Sequence, residues 1–300
     1  MKLYTAKVNG SEAVLVEAAR GRFVRLSDLG LPYESMNDLI DNITEEESRR
    51  LEAAFGAGAT AEQTAAALTG IPTFTEDRIT ICSPIPVPKQ DLICLGVNYW
   101  SHIQETIEVE DYTQKEDAIY FSKRANYTTG PDGIIPCHEV VDGLDYEVEL
   151  AVILGKDALN VSREEAIDYV FGYTIVNDVS ARNLQFRHKQ WYRGKSLDGY
   201  TPMGPCIVTA ADLGDGSGLT LTSRVNGELR QNSNTDLLIQ DVAGTIAELS
   251  QGMTLQKGTI ISTGTPSGVA MGFKPPKFLK PGDVVECEIT RIGVLRNVCR

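Results

Sequence analysis

The run DYEVELAVIL at 145–154 places Glu147 and Glu149 one residue apart in an otherwise apolar segment that ends at Gly155. In a strand, residues i and i+2 share a face, so the two carboxylates project together. Like charges this close repel, and desolvation sharpens the repulsion. The pair therefore needs protonation, basic partners, open water or a cation. A solvated acidic edge strand is the plain alternative, but residues 151–154 continue as a run suited to the interior. A hard divalent cation held by carboxylate oxygens then becomes attractive, and two acids are too few for a tight site. Asp178, at the end of a strand over 174–177 in TIVNDVSARNLQ, offers a third ligand. Its alternative role is to cap a helix beginning near Ser180.

Other groups could act beside such a centre. His102 and Glu105 in GVNYWSHIQET are three apart, one face of a helix, so the carboxylate can orient the imidazole and raise its basicity. A surface His–Glu pair at the rim of a helix is the alternative. Lys195 lies in RGKSLDGYTPMGP, read as a loop, where a lysine can stabilise an oxyanion or enolate or simply be solvated. The segment TGTPSGV at 263–269 allows close backbone approach and offers the Thr265 hydroxyl, or is a plain turn.

The chain around these residues has 300 positions and a formal net charge of −13, which disfavours nucleic acid and anionic membrane surfaces as partners. Against that background Arg182, Arg187, Lys189, Arg193 and Lys195 fall in one short segment beside His188, either a solvated face or a local site for a small anion. Six dispersed cysteines without a Cys-x-x-Cys pair argue against a disulfide scaffold or zinc knuckle and fit a reducing cytoplasm. No apolar run reaches the roughly 18 residues of a membrane span, and the N-terminus lacks the apolar core of a signal peptide.

The elements that must position the site divide at SPIPVPK, whose alternating Pro84, Pro86 and Pro88 favour an extended connector. Residues 1–85 read as a small α+β module. It opens with a hairpin around Asn9-Gly10, then a helix after the Thr44–Glu47 capping box and another over 61–68. Residues 86–300 are strand-rich. Strands are expected over 91–95, 146–154, 173–177, 259–263 and 284–289, with a hairpin around Asn226-Gly227. Helices are expected after the Ser162–Glu165 capping box, running to about Phe171, and over 239–249 with Gly252 as its cap. The fold class is mixed α/β, rich in strand.

The order and spacing of LGVNYWSH, DYEVELAVILG, TIVNDVSARNLQ, RGKSLDGYTPMGP, STGTPSGV and LKPGDVVECEITRIGVLRN resemble the fumarylacetoacetate hydrolase family over residues 92–297. The resemblance implies a mixed β-sandwich roll, a homodimer, and Mg²⁺ (Mn²⁺ or Ca²⁺ as other hard cations) held by Glu147, Glu149 and Asp178. It places a catalytic His–Glu dyad at His102 and Glu105 and an active-site lysine at Lys195. It assigns substrate contacts to Lys123, Gln185 and Thr265. One departure is Asn183, where many members carry Asp; the metal set stays complete, while local helix contacts and the pocket's shape are put in doubt.

The activity so implied is metal-dependent hydrolysis of a carbon–carbon bond in a small anionic 2,4-dioxo acid. His102 would activate water, Lys195 would stabilise the oxyanion, and a pyruvate-like enolate would leave. The alternative on the same metal site is decarboxylation of oxaloacetate or a related 2-oxo acid, or tautomerisation, dehydration or hydrolysis of 2-oxo sugar acids. A silent oxo-acid-binding protein is the reading from outside enzymology.

Overall fold

The computed structural model of the chain describes residues 1–106 and 117–300. It begins with the hairpin β1 (Lys2–Val8) and β2 (Ser11–Ala19). Asn9 and Gly10 form its turn with φ of 52° and 85°, the left-handed pair that a two-residue I′ connection requires. β3 (Arg22–Arg25) leads to three helices, α1 (Met36–Asn42), α2 (Glu45–Phe55) and α3 (Ala61–Ala67). Thr44 and Glu47 cap α2 reciprocally, and Thr60 and Gln63 do the same for α3. β4 (Phe74–Thr75) and β5 (Ile79–Ile81) close this part. The proline segment is pinned at both sides, since Thr5 Oγ1 donates to the Pro84 carbonyl at 2.7 Å and the Thr128 N–H to that of Pro86 at 2.9 Å.

β6 (Leu92–Gly96) and α4 (Trp100–Thr106) precede β7 (Ile119–Lys123), β8 (Ile134–Ile135), β9 (Leu144–Asp145) and β10 (Val148–Leu154). The strand expected from Tyr146 therefore starts at Val148. The Ser162 and Glu165 side chains make their mutual contact at 2.8 Å, but the helix expected after them is one 3-10 turn, Ala166–Tyr169. Val170 already pairs with Leu154, so the sheet takes the chain before a helix can extend. β11 (Val170–Asn177), β12 (Ser180–Ala181), α5 (Arg182–Arg187) and α6 (Tyr192–Lys195) follow. Lys195 thus ends a short helix where a loop was expected.

The remaining elements are β13 (Met203–Thr209), α7 (Ala210–Leu213), β14 (Thr220–Val225), β15 (Glu228–Asn234), α8 (Val242–Leu249), β16 (Ile260–Ser262), β17 (Val284–Ile289) and β18 (Gly293–Cys299). The hairpin around Asn226-Gly227 forms with the same I′ signature, φ 52° and 81°. α8 starts at Val242, later than its periodicity suggests, because the Asp241 side chain caps it by accepting from the Gly244 N–H. It ends at Ser250, ahead of Gly252.

Among the described residues one sheet runs β4-β3-β2-β1-β13-β11-β10-β16-β6-β7, with β5 also on β1, and a second runs β15-β14-β17-β18-β8. Strand pairs are antiparallel except β16 with β6 and β18 with β8. The two sheets close on an apolar core that joins Leu150, Val152 and Ile175 to Leu221, Val285 and Leu295. A second core, on the other face, gathers Val16, Leu39 and Leu51 onto Ala151, Ile153 and Ile207. β10 lies between β11 and β16 with both faces covered, which explains its continuous apolar run and buries every one of its residues. No helix among the described residues is long and apolar enough to cross a membrane.

Candidate metal centre and active site

Glu147, just ahead of β10, is tied to the end of β11. The Glu147 N–H donates to Asn177 Oδ1 and the Asp178 N–H donates to the Glu147 carbonyl, both at 2.9 Å. This lock brings one oxygen each of Glu147, Glu149 and Asp178 within 4.8 Å of one another, all three residues buried. Asp178 does not cap a helix: α5 begins after Ala181 with no side-chain cap.

Cations gather on one side of the three acids. Lys195 Nζ donates to Glu147 Oε2 and to Asp178 Oδ2, both at 2.6 Å. Arg182 Nη2 donates to Glu147 Oε1 at 2.6 Å, and Lys123 Nζ pairs with Asp178 Oδ1 at 2.7 Å. Arg182 is itself steered by Asp145, whose Oδ2 accepts from its Nε at 2.8 Å. Asp145 in turn accepts from the backbone N–H groups of Tyr146, Ala270 and Met271. Among the described residues Glu149 forms no ion pair. Its Oε2 accepts from Ser262 Oγ at 2.6 Å and from the Gly264 N–H at 2.9 Å.

The electrostatics follow from these partners. Burial alone would raise both glutamates. At Glu147 the nearby Lys195 and Arg182 outweigh burial and hold the carboxyl down at about 2. At Glu149 burial is joined by the charges of Asp178 and Glu147, and the carboxyl is pushed well above its ordinary range. Lys195 and Arg182 are held in their charged forms by their carboxylate partners in spite of burial. A divalent cation fits this donor set: the ligands are hard oxygens, the hydrogen bonds to Glu149 fall on Oε2 and leave Oε1, and the uncompensated negative charge sits there.

The predicted dyad forms. His102 Nδ1 lies 3.5 Å from Glu105 Oε2, and both residues are largely buried, which sets aside a surface rim pair. Glu105 is fixed by the Gly268 N–H at 2.9 and 3.0 Å from its two oxygens. Gly272 makes this approach possible, because a Cβ there would fall 2.1 Å from Glu105 Oε1.

His102, Gln185, Lys195 and Thr265 line one cavity with the three acids, and its volume is about 20 Å³. Gln185 Oε1 accepts from Arg182 Nη1 at 2.9 Å. Lys123 stands behind the wall, wholly buried, with Nζ also donating to the carbonyls of Val179 and Lys195 at 3.1 and 2.6 Å. Trp191 covers the outer side, so close to Gly96 that a Cβ there would meet the indole at 2.2 Å, and its ring meets Phe121 edge-on at 5.1 Å. A far larger groove of 1290 Å³, lined by Tyr4, Glu17 and Arg296 among others, holds none of these groups.

The basic segment divides in two: Arg182 and Lys195 are buried in ion pairs, while Arg187, Lys189 and Arg193 are exposed. Asn183 donates to the Val140 carbonyl at 3.0 Å and is not itself one of the residues that line the cavity. Sequence reasoning missed Asp145 and Ser262 as parts of the site, and saw Arg182 only as one charge in a run. An acid and an arginine flanking a suspected metal site were the available signal for the Asp145–Arg182 pair.

With this geometry in hand, the kinship of the chain can be stated. Residues 91–300 match the model of the fumarylacetoacetate hydrolase C-terminal domain. The chain is 46% identical over 225 residues to oxaloacetate tautomerase YisK of Bacillus subtilis, covering 75% of this chain and 74% of the relative. It is 40% identical over 226 residues to a mitochondrial oxaloacetate tautomerase of Xenopus laevis, covering 75% and 69%. A solved fumarylacetoacetate hydrolase from Exiguobacterium antarcticum is 34% identical, with a TM-score of 0.81 over 100% of this chain and 99% of that one. On the match over two thirds of its length, and on these relatives, the chain belongs to the fumarylacetoacetate hydrolase family.

Proposed function

We propose that this protein is a metal-dependent tautomerase that interconverts the keto and enol forms of a small 2-oxo dicarboxylic acid of the oxaloacetate kind. The observation that carries the reading is the seating of His102, backed by Glu105, and of Lys195 around one cavity whose floor is the three-carboxylate cluster. Two similar proteins bear the name of that activity.

A divalent cation bound by Glu147, Glu149 and Asp178 would supply Lewis-acid polarisation of the 2-oxo group. The chain's own groups do the rest. Nδ1 of His102 faces Glu105, which leaves Nε2 as the ring nitrogen to take a proton from C3 of the keto form and to return it. As the C3–H bond breaks, its electron pair forms the C2=C3 bond and the carbonyl pair moves to the 2-oxygen. The Lys195 ammonium is held charged and stabilises that oxygen. The proton now on Nε2 of His102 then passes to the 2-oxygen, so atoms balance with no co-substrate. The exposed Arg187, Lys189 and Arg193 beside Trp191 attract a dianion to an otherwise acidic chain.

Tautomerisation is preferred to hydrolysis because both similar proteins are named for it and because a proton transfer within one substrate needs no co-bound water. Hydrolysis of an acylpyruvate is the second reading, favoured by the His102–Glu105 geometry, which also suits water activation. The test follows oxaloacetate with Mg²⁺ by the ultraviolet band of its enol and by pyruvate assay, beside a panel of acylpyruvates. Faster keto–enol relaxation with total oxaloacetate conserved is expected. Catalysed release of pyruvate, or acylpyruvate cleavage without an effect on oxaloacetate relaxation, would sink the tautomerase reading.

A further inference from the structure

A ring of hydrogen bonds behind Thr265 decides where its hydroxyl proton points. β10 begins at Val148, between the two glutamates, and the Val148 N–H donates to Gln231 Oε1 at 3.1 Å. A backbone N–H can only donate, so this bond fixes the orientation of the Gln231 amide. Ser223 Oγ donates to the same oxygen at 2.9 Å. Gln231 Nε2 then faces the Gly-Thr-Pro loop, donating to Thr265 Oγ1 at 2.7 Å and to the Pro266 carbonyl at 2.8 Å. Thr265 Oγ1 must accept from the amide, and its own hydrogen goes to the Val148 carbonyl at 3.0 Å. Gln231 and Thr265 are 0% and 3% exposed, and both strands that carry the ring are held in their sheets.

A hydroxyl has one hydrogen to give and two lone pairs. With the hydrogen and one pair engaged, Thr265 has a single lone pair left to offer the cavity it lines. A lone pair accepts from a protonated oxygen and repels a carbonyl or carboxylate oxygen.

We propose that Gln231 is a positioning residue that holds Thr265 as an acceptor, so that the site reads the hydroxyl of the enol tautomer in preference to the keto oxygen. The inference rests on the keto–enol function proposed above. Of the two tautomers only the enol carries a hydrogen on that oxygen, so the bond to Thr265 exists on one side of the reaction. Gln231 lies on β15, in the sheet opposite the acids, and reaches the substrate only through Thr265.

The test measures initial rates in both directions in the presence of Mg²⁺, starting from the enol and from the keto form of oxaloacetate, by the enol ultraviolet band. The overall equilibrium is fixed, so any change in the ratio of the two KM values must be matched by the ratio of the two kcat values. In Thr265→Val and in Gln231→Met the KM for the enol is expected to rise about tenfold relative to that for the keto form, the loss of about one hydrogen bond. The kcat ratio, enol over keto, is expected to rise by the same factor. Thr265→Ser keeps the hydroxyl and the ring, and should keep the wild-type ratios. A merely structural role would lower activity in both directions with the KM ratio unmoved, and that result, or a ratio moved the other way, overturns the inference. Thr265→Val leaves Gln231 in place and decides the matter alone should Gln231→Met fail to fold. A wild-type protein that does not interconvert the tautomers defeats the functional reading, and this inference with it. An active wild type with unmoved ratios in the variants defeats only the inference.

Discussion

The two sides of the carboxylate cluster are built from different materials. On one side every partner is a cation: Arg182 and Lys195 at Glu147, Lys195 and Lys123 at Asp178. On the other side the partners among the described residues are neutral: the Ser262 hydroxyl and the Gly264 N–H at Glu149. The same residue type, two positions apart on one chain segment, is held at about 2 in the first setting and pushed well above its usual range in the second. Burial is common to both, so the neighbours decide. The cationic side is satisfied without any added ion, whereas the neutral side gains most from a divalent cation.

The largest expected effect comes from breaking the cationic side. Arg182→Met leaves Asp145 and Glu147 buried with a partner removed from each, and breaking a buried pair in this way costs about 3–5 kcal/mol. Urea unfolding at neutral pH measures it, and a loss below about 1 kcal/mol would show that backbone N–H groups and Lys195 suffice. The neutral side should respond with the opposite sign. In protein stripped of divalent cations, Glu149→Gln removes a buried carboxyl that must take up a proton on folding and is expected to raise the melting temperature by a few degrees, whereas Glu147→Gln lowers it. Mg²⁺ should raise the melting temperature of the wild type and not of Glu149→Gln.

The pH dependence separates the two sides again, at smaller amplitude. Glu149 has its folded value raised, so between its unfolded value and that raised value the folded state binds the extra proton, and metal-free stability falls as pH rises. Glu147 has its folded value lowered, so its contribution is present above the unfolded value and is lost as pH falls toward about 2. Comparing metal-free wild type with Glu149→Gln should remove the first slope and leave the second. Identical slopes above the unfolded value would contradict the assignment of the excess charge to Glu149.

What was legible in the sequence was local. The strand period aligned Glu147 with Glu149, the helix spacing joined His102 to Glu105, and both Asn-Gly hairpins and the Thr44 box formed as read. The resemblance supplied the fold and Gln185. The illegible parts depend on partners distant in the chain. Arg182 finds Asp145 across 37 positions, and Ser262 finds Glu149 across 113. The junction of β1 with β13 pairs Lys2 with Val208, which no local pattern announces. The helix expected after Ser162 failed for the same reason: the Ser162–Glu165 side-chain contact formed, but the one 3-10 turn that follows is not capped by Ser162, and strand pairing at Val170 ends it.

The smallest effect probes how the neutral side works. Ser262→Ala removes one of the two hydrogen bonds to Glu149 Oε2 and leaves the Gly264 N–H in place. Because the bond is to a carboxyl that burial and its acidic neighbours drive toward the neutral form, it carries less than a bond to a full charge. A stability loss of about 1 kcal/mol is expected in metal-free protein. With Mg²⁺ bound the glutamate is ionised, the Ser262 bond becomes charge-assisted, and the cost of the same substitution should grow to about 2 kcal/mol. Urea unfolding with and without Mg²⁺ reads the difference. Equal costs in the two conditions would mean that Glu149 keeps one charge state throughout, and the contrast between the two sides of the cluster would then rest on Glu147 alone.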